Sequence, residues 1–174
     1  MLWDDFARAA SIIRLASPAD APAMARVLAE AFAAFRPLYT PGGFAATTPG
    51  AEVIAQRFGE GPMWVAEQDG ALVGTASAVV KGTGLYVRSV AVLPAARGQR
   101  VGQALMAAVE GYAVAQGCQR MFLSTAPVLT SAIRMYEGLG FARSDEGPHD
   151  LYGTALFTMV KALPAGRPGA QARG

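Results

Sequence analysis

The chain has 174 residues, of which 52% are hydrophobic and 16% charged, and its formal net charge is +2. This length is typical of one domain with a sizeable core, and the composition indicates a globular protein rather than a disordered one. So small a net charge, with basic residues spread along the chain, argues against nucleic acid as a partner. The single cysteine, Cys118, excludes an internal disulfide, and no cluster of His, Cys and carboxylate residues suggests a metal site.

The two ends of the chain are predicted to lie outside one folded domain that spans residues 11–163. Residues 1–10 are expected to form a short helix or a loose arm, in which Trp3 and Phe6 could pack on a second copy and support a homodimer. Residues 164–174 are rich in Pro, Gly and Arg and are predicted to be a flexible tail. The early aspartates do not fit a signal peptide, and no apolar stretch is long enough to span a membrane, so we expect a cytoplasmic protein.

The first part of the chain predicts a short strand at residues 11–15 and then a helix that runs to about residue 35. Ser17 or Asp20 is the expected N-cap of this helix. Residues 36–49 contain three prolines and a Gly-Gly pair, which forbid a long regular element. A loop of this length in a small domain is more often functional than not.

The middle of the chain predicts three antiparallel strands. Residues 63–67 and 71–80 flank a Gln-Asp-Gly turn, and a second polar turn leads into residues 85–92. A period of two along this third strand places alternate side chains on opposite faces of the sheet. One face is predicted to carry Tyr86, Arg88, Val90 and Val92, and the other Leu85, Val87, Ser89 and Ala91.

A strand, a basic glycine-containing turn and a helix follow one another in residues 85–117. The free N–H groups and the macrodipole of a helix N-terminus favour an anion, above all a phosphate. Gly98 and Gly102 would let a ligand approach the main chain, and Arg97 and Arg100 add positive charge. The helix is predicted to end at Gly117, and the next strand, residues 120–125, should run parallel to the one before the turn.

Residues 92–105 read V-x-P-x-x-R-G-x-x-V-G-x-x-L, and this run resembles the acyl-CoA-binding motif of the GNAT superfamily of N-acyltransferases. The core of that motif is Q/R-x-x-G-x-G/A. Arg97 matches its first position and Gly102 its last, whereas Arg100 stands where the family usually has glycine. Arginine tolerates positive φ poorly, although its guanidinium could add a phosphate contact.

A second motif lies in residues 131–141, SAIRMYEGLGF, and resembles the family segment N-x-x-A-x-x-x-Y-E-x-x-G-F. The residues in register are Ala132, Tyr136, Glu137, Gly140 and Phe141, while the Asn position falls on Leu129. The resemblance implies that the Tyr136 phenol protonates the departing thiolate of CoA. Tyr136 could equally pack its helix onto the sheet, and the two roles are compatible.

The resemblance implies an α/β fold with a mixed, mostly antiparallel sheet of six or seven strands flanked by helices. A splayed parallel strand pair would hold acetyl-CoA, whose acetyl group passes to a primary amine of a small molecule or peptide by direct attack. The residues implied to bind the cosubstrate are Val90, Ala91, Val92, Arg97, Gly98, Gln99, Arg100, Val101, Gly102, Gln103 and Ser131. The candidates for acceptor binding are Arg36, Tyr39, Phe44 and Arg88, although Tyr39 and Phe44 could merely anchor their loop.

A general base is harder to assign, because residues 81–109 contain no carboxylate. After Phe141 the chain predicts a short strand, a loop over residues 145–153 and a closing strand over residues 155–163. His149, the only histidine, lies in that loop beside Asp150 and is a candidate base for an ammonium acceptor. It could also be an ordinary surface residue, in which case water would carry the proton.

Other classes of function stay open. A module that senses acyl-CoA without turnover would keep the basic turn but lose catalytic groups, and a scaffold using this fold would not need the turn at all. A Rossmann-type dinucleotide site would need a G-x-G-x-x-G run near the start of a βαβ repeat, and none occurs. If Arg88 and Arg36 face the cleft, they favour an acceptor that carries a carboxylate or phosphate over a polycation.

Overall fold

The computed structural model describes residues 10–164, so the predicted arm with Trp3 and Phe6 and almost all of the predicted tail lie outside the described residues. Within this range the chain forms a sheet of eight strands and five α-helices. The strands are β1 (Ile12–Leu15), β2 (Met63–Gln68), β3 (Ala71–Lys81), β4 (Gly84–Val92), β5 (Arg120–Thr125), β6 (Ala142–Arg143), β7 (His149–Leu151) and β8 (Thr154–Ala162). The helices are α1 (Ala21–Phe32), α2 (Pro41–Thr47), α3 (Ala51–Arg57), α4 (Val101–Ala115) and α5 (Thr130–Gly138).

The sheet has the strand order β1-β2-β3-β4-β5-β8-β6, and β7 pairs with β8 beside this path. Every pair is antiparallel except β4 and β5, so the predicted mixed, mostly antiparallel fold is confirmed. The count exceeds the expected six or seven because β6 and β7 are only two and three residues long. His149 begins β7, where the sequence predicted a loop.

The turn chemistry explains several element boundaries. The β2–β3 hairpin turns through Asp69 and Gly70, both at positive φ, as the Asp-Gly pair predicted. The first helix ends at Phe32, three residues earlier than predicted, and continues as a 3₁₀ turn over Ala33–Leu38. Inside the predicted loop lies α2, whose N-cap Thr40 accepts a hydrogen bond from the Gly43 N–H at 3.0 Å.

The sheet is covered on both faces, and each face has its own core. On one face α1 and α3 bury Met24, Val27, Leu28 and Ile54 against the sheet. On the other face α4 and α5 bury Leu105, Met106, Val109 and Tyr136, and Cys118 lies in this core as a free, buried thiol. No helix in residues 10–164 is both long and apolar enough to cross a bilayer.

A β-bulge in β4 corrects the predicted alternation of its side chains. Thr75 of β3 pairs with Ala91 while Ser77 pairs with Arg88, so Ser89 and Val90 together oppose the single residue between them. Ser89 adopts a positive φ of 55° to absorb the extra residue. Leu85 and Val87 share one face, which packs on α4. Beyond the bulge Val90 and Val92 join this face, and Ala91 turns to the α1 face, which reverses the prediction for these three residues.

Candidate active site

The site begins where β4 and β5 separate. Their parallel ladder ends at the pair Tyr86 and Phe122, although β4 continues to Val92 and β5 continues to Thr125. The other edge of β5 stays paired with β8 along its whole length. The facing edges of β4 and β5 beyond the ladder therefore have no strand partner, and a ligand can enter between them.

A cavity of about 720 Å³ occupies this gap, and elements from both faces of the sheet line it. That volume is in the range of small-molecule and cofactor sites. Most of the residues implied by the family resemblance line it: Tyr39, Arg88, Val90, Ala91, Val92, Arg97, Gly98, Arg100, Val101, Gly102, Gln103, Ser131 and Tyr136. The structure thus brings residues from β4, the basic turn, α4 and α5 to one place.

The basic turn presents two exposed guanidinium groups at the N-terminus of α4, those of Arg97 and Arg100. Arg97 is held partly in place, because its Nη2 donates to the main-chain oxygen of Ala31 at 3.0 Å. Free N–H groups, a helix dipole and two cations at one helix end are the elements of a phosphate site. The turn can therefore hold the phosphates of a cosubstrate.

Arg100 adopts the left-handed conformation, with φ 61° and ψ 25°, at the position where the family motif has glycine. The backbone geometry of the turn is thus kept without glycine, at a cost of roughly 1–2 kcal/mol for a residue with a Cβ.

We expect Arg100→Gly to stabilise the fold, because glycine adopts this φ freely. Glycine also has more entropy to lose on folding, so the net gain should be about 0.5–1 kcal/mol, or roughly 1–4 °C in Tm. Calorimetric unfolding of the wild type, Arg100→Gly and Arg100→Ala measures it. Arg100→Ala removes the same charge but keeps the Cβ, so a gain in both variants would assign the effect to charge and contradict the backbone explanation.

Gly102 allows α4 and α5 to approach each other. A Cβ at this position would lie 2.6 Å from the Sδ of Met135, which itself lines the cavity. The small residue of the motif therefore brings Tyr136, the next residue along α5, close to the turn that Arg97 and Arg100 define.

Tyr136 is buried and lines the cavity, with its ring 5.8 Å from that of Phe141. Burial raises the pKa of the Tyr136 phenol above its ordinary value, because the phenolate would lose its hydration. The phenol therefore keeps its proton throughout the neutral and mildly alkaline range. In this state it can act as a proton donor.

Thr125, the last residue of β5, also lines the cavity. Its side chain is 4% exposed, and its Oγ1 has no hydrogen-bond partner among the described residues. A buried hydroxyl without a partner is costly, so a bound ligand that hydrogen-bonds to it would recover that free energy. The sequence did not indicate Thr125 as a site residue.

Four of the predicted site residues do not line the cavity. The Gln99 side chain is tied to Gln68, with its Oε1 accepting from Nε2 at 2.8 Å. The Arg36 guanidinium stacks 5.2 Å from the ring centroid of Phe44, and neither residue lines the cavity, although Phe44 packs on Tyr39, which does. His149 is exposed and places its Nε2 2.8 Å from Thr158 Oγ1. His149 is therefore not among the residues that line the cavity, although its partner in the β7–β8 ladder, Leu156, is.

The lining residues outside the predicted set come from the end of β5 into α5 and, on the other side of the cavity, from the α1–α3 segment. Arg57 is the last residue of α3. Its Nη1 donates a hydrogen bond of 3.3 Å to Oγ of Ser89, the bulge residue of β4. An aromatic group completes this side of the cavity: Phe32, Phe35, Tyr86 and Tyr152. Only the positive φ imposed by the bulge distinguishes Ser89, and nothing in the sequence marks it.

The charge of the cavity is one-sided. Arg57, Arg88, Arg97 and Arg100 line it, and no lining residue in the described part of the chain is Asp, Glu or His. The cavity therefore favours anionic ligands. It also supplies no side chain with an ordinary pKa near neutrality that could deprotonate an ammonium group.

The likeness to solved structures agrees with this geometry. The paia N-acetyltransferase from Thermoplasma acidophilum, in complex with coenzyme A, has a TM-score of 0.75 at 16% identity, covering 88% of this chain and 99% of that one. A putative acetyltransferase from Salmonella typhimurium, with its cofactor acetyl-CoA, has a TM-score of 0.70 at 22% identity, covering 89% and 95%. At these identities the similarity shows the fold alone.

Sequence comparison gives the family. An IAA acetyltransferase from Azospirillum brasilense is 34% identical over 102 residues, which are 58% of this chain and 65% of that protein. The chain thus matches less than two thirds of that protein's length. The model of the acetyltransferase (GNAT) family matches residues 26–141, more than half of the chain, so this chain belongs to the GNAT acetyltransferase family.

Proposed function

We propose that the protein transfers an acetyl group from acetyl-CoA to a primary amine of a small molecule or peptide. One observation supports the proposal most strongly. The unpaired edge of β4 facing β5, the basic turn and the buried Tyr136 phenol all line the same cavity. Together these three features would bind the cosubstrate and assist the release of its thiol.

Two observations support the fit of acetyl-CoA to these residues. The exposed guanidinium groups of Arg97 and Arg100 at the start of α4 would hold its phosphates. The unpaired main-chain edge of β4 beyond Tyr86 and the unsatisfied Thr125 hydroxyl would bind its amide-containing arm. When bound, acetyl-CoA supplies an activated acetyl thioester.

The residues of the chain then orient the reaction and move one proton. A main-chain N–H in the bulged segment, residues 90–92, would polarise the thioester carbonyl. As the new C–N bond forms and the C–S bond breaks, the Tyr136 phenol would give its proton to the thiolate, and the acceptor nitrogen would release its own proton to water. Positioning and carbonyl polarisation then supply most of the rate.

This mechanism predicts that the acceptor, rather than the enzyme, sets the pH dependence. Since no titrating base lines the described cavity, only the neutral amine should react. We expect kcat/KM to rise with pH and then to level off, with the midpoint of the rise at the pKa of the acceptor amine. The rate should not fall again by about pH 10, because the raised pKa of Tyr136 keeps the phenol protonated there.

Two acceptors whose amine pKa values differ by about 2 units test this prediction. The midpoints should differ by the same interval, and His149→Gln should leave both unchanged. A common midpoint of about pH 6–7 for both acceptors would instead reveal a base on the enzyme and overturn the direct-attack mechanism.

The proposed function is tested by a screen of amines with acetyl-CoA, read by free thiol release and by the mass of the acetylated product. Both signals should appear together for at least one amine. An acyl-CoA-sensing module is the second candidate, favoured by the lack of a lining base. That candidate predicts acetyl-CoA binding with no acetylated product from any amine.

A further inference from the structure

The two arginines on the α1–α3 side of the cavity, Arg57 and Arg88, lie apart from the two arginines of the basic turn. Arg88 and Val92 pair with Ser77 and Gly74, which lie three residues apart on β3, so they are separated along the sheet by about 10 Å, and the turn lies beyond. If the turn holds the phosphates of the cosubstrate, Arg57 and Arg88 lie further along β4, on the side from which an acceptor reaches the thioester.

The charges at this end of the cavity do not cancel. Arg88 forms an ion pair with Glu60, whose carboxylate is exposed. Arg57 reaches the Ser89 hydroxyl instead, and none of the carboxylates in residues 10–164 forms an ion pair with it. Two guanidinium groups and one carboxylate leave one positive charge beside the bulge.

Arg57 is also partly shielded from water. Burial, and then the neighbouring Arg88, lower the pKa of the Arg57 guanidinium, and Glu60 offsets this only in part. A partly desolvated cation without a charged partner interacts strongly with an anion brought to it. The local positive charge is therefore matched to a ligand that carries one negative charge.

The surroundings define the rest of the ligand. The cavity that Arg57 and Arg88 line also has an aromatic wall, formed by Phe32, Phe35, Tyr39 and Tyr86. Such a wall favours an apolar or aromatic group. A polycationic acceptor would face two guanidinium groups and no lining carboxylate among the described residues, which disfavours it.

We propose that the acceptor is an amino acid with an apolar or aromatic side chain, whose carboxylate binds Arg57 at the bulge of β4. This inference rests on the proposed acetyltransferase function and names its substrate class. It also replaces the expectation from sequence, since Arg36 lies outside the cavity and Arg57 takes its place beside Arg88.

The test compares matched acceptors. Phenylalanine, its amide and 2-phenylethylamine share the aromatic group and the amine, but only the first carries a carboxylate. At a pH where a comparable fraction of each amine is neutral, we expect kcat/KM for phenylalanine to exceed that of the other two by about 10–100-fold, the value of a charge-assisted contact. A phosphate-bearing amine serves as a fourth acceptor. A higher kcat/KM for this amine than for phenylalanine would overturn the carboxylate assignment.

Arg57→Gln should remove the preference by raising KM for phenylalanine about 10–100-fold, with little change in kcat. Its KM for 2-phenylethylamine should stay the same, which a general loss of folding could not produce. Arg57→Lys, which keeps the charge, should retain most of the preference. Two outcomes would overturn the proposal. In one, Arg57→Gln raises KM equally for phenylalanine and 2-phenylethylamine. In the other, it leaves the preference for phenylalanine unchanged.

The experiments distinguish a failure of the proposed acetyltransferase function from a failure of the proposed acceptor class. If no amine gives thiol release, the proposed acetyltransferase function fails. If amines are acetylated but the carboxylate brings no advantage, only the amino-acid acceptor fails.

Discussion

Tyr136→Phe is expected to lower kcat by about 10²–10⁴-fold, the usual contribution of a general acid, with little change in KM for acetyl-CoA. The substitution removes one hydroxyl from a buried ring and leaves its packing on Phe141 in place. Without the phenol, the thiolate must depart unprotonated or take its proton from water. Initial rates of thiol release at saturating acetyl-CoA measure the effect.

A second donor separates the proton-donating role from a structural one. An acetyl thioester of a more acidic thiol needs less help to depart, so the loss in Tyr136→Phe should shrink with that donor. Tyr112→Phe is the matched control, because Tyr112 packs half-buried against the core, with its ring 5.6 Å from that of Trp64, and does not line the cavity. An equal loss with both donors would contradict a role in protonating the thiolate.

The double variant Arg97→Ala/Arg100→Ala is expected to weaken acetyl-CoA binding by about 10²–10⁴-fold, since each guanidinium contributes about 1.5–3 kcal/mol to a phosphate contact. Both groups are exposed at the start of α4 and line the cavity. The dissociation constant, measured by equilibrium binding at fixed ionic strength, gives the effect. Higher salt should weaken the wild type more than the variant.

Acetylpantetheine provides the control for this pair, because it carries the thioester and the amide arm but no phosphate. The variant and the wild type should use it with similar kcat/KM. Because Arg97 also donates to Ala31 at the end of α1, the comparison separates lost charge from a disturbed turn. An equal loss with acetylpantetheine would show that the arginines act through the fold and not through the phosphates.

The elements that local sequence patterns define were predicted well. The strand over residues 120–125 has the predicted bounds, and the Asp-Gly turn of the β2–β3 hairpin adopts positive φ. The parallel neighbour of β4 also follows from the intervening helix, since a crossover of this kind has one preferred geometry. These features depend on residues close together in the chain.

The features that depend on distant parts of the chain were not predictable in this way. The bulge at Ser89 arises from the register between β3 and β4, and it reverses the faces of Ala91 and its neighbours. Arg57 reaches the cavity from the end of α3, which packs on α1, and His149 pairs with Leu156 of β8 without lining the cavity itself. Periodicity describes one element at a time and contains no information on such pairings.

The position of Arg100 shows how a motif can keep its geometry when a residue departs from the pattern. The sequence predicts difficulty with an arginine where glycine is usual, and the structure shows the left-handed backbone retained at that residue.

We propose that acetyl-CoA binds in the gap between β4 and β5. Isothermal titration of the purified wild-type protein with acetyl-CoA should detect one site per chain. We expect a dissociation constant in the micromolar range, which corresponds to about −8 kcal/mol at 1 μM. An absence of binding heat at two temperatures, with acetyl-CoA also failing to raise the Tm at millimolar concentration, would contradict the claim and leave a family member that has kept the fold without its cosubstrate.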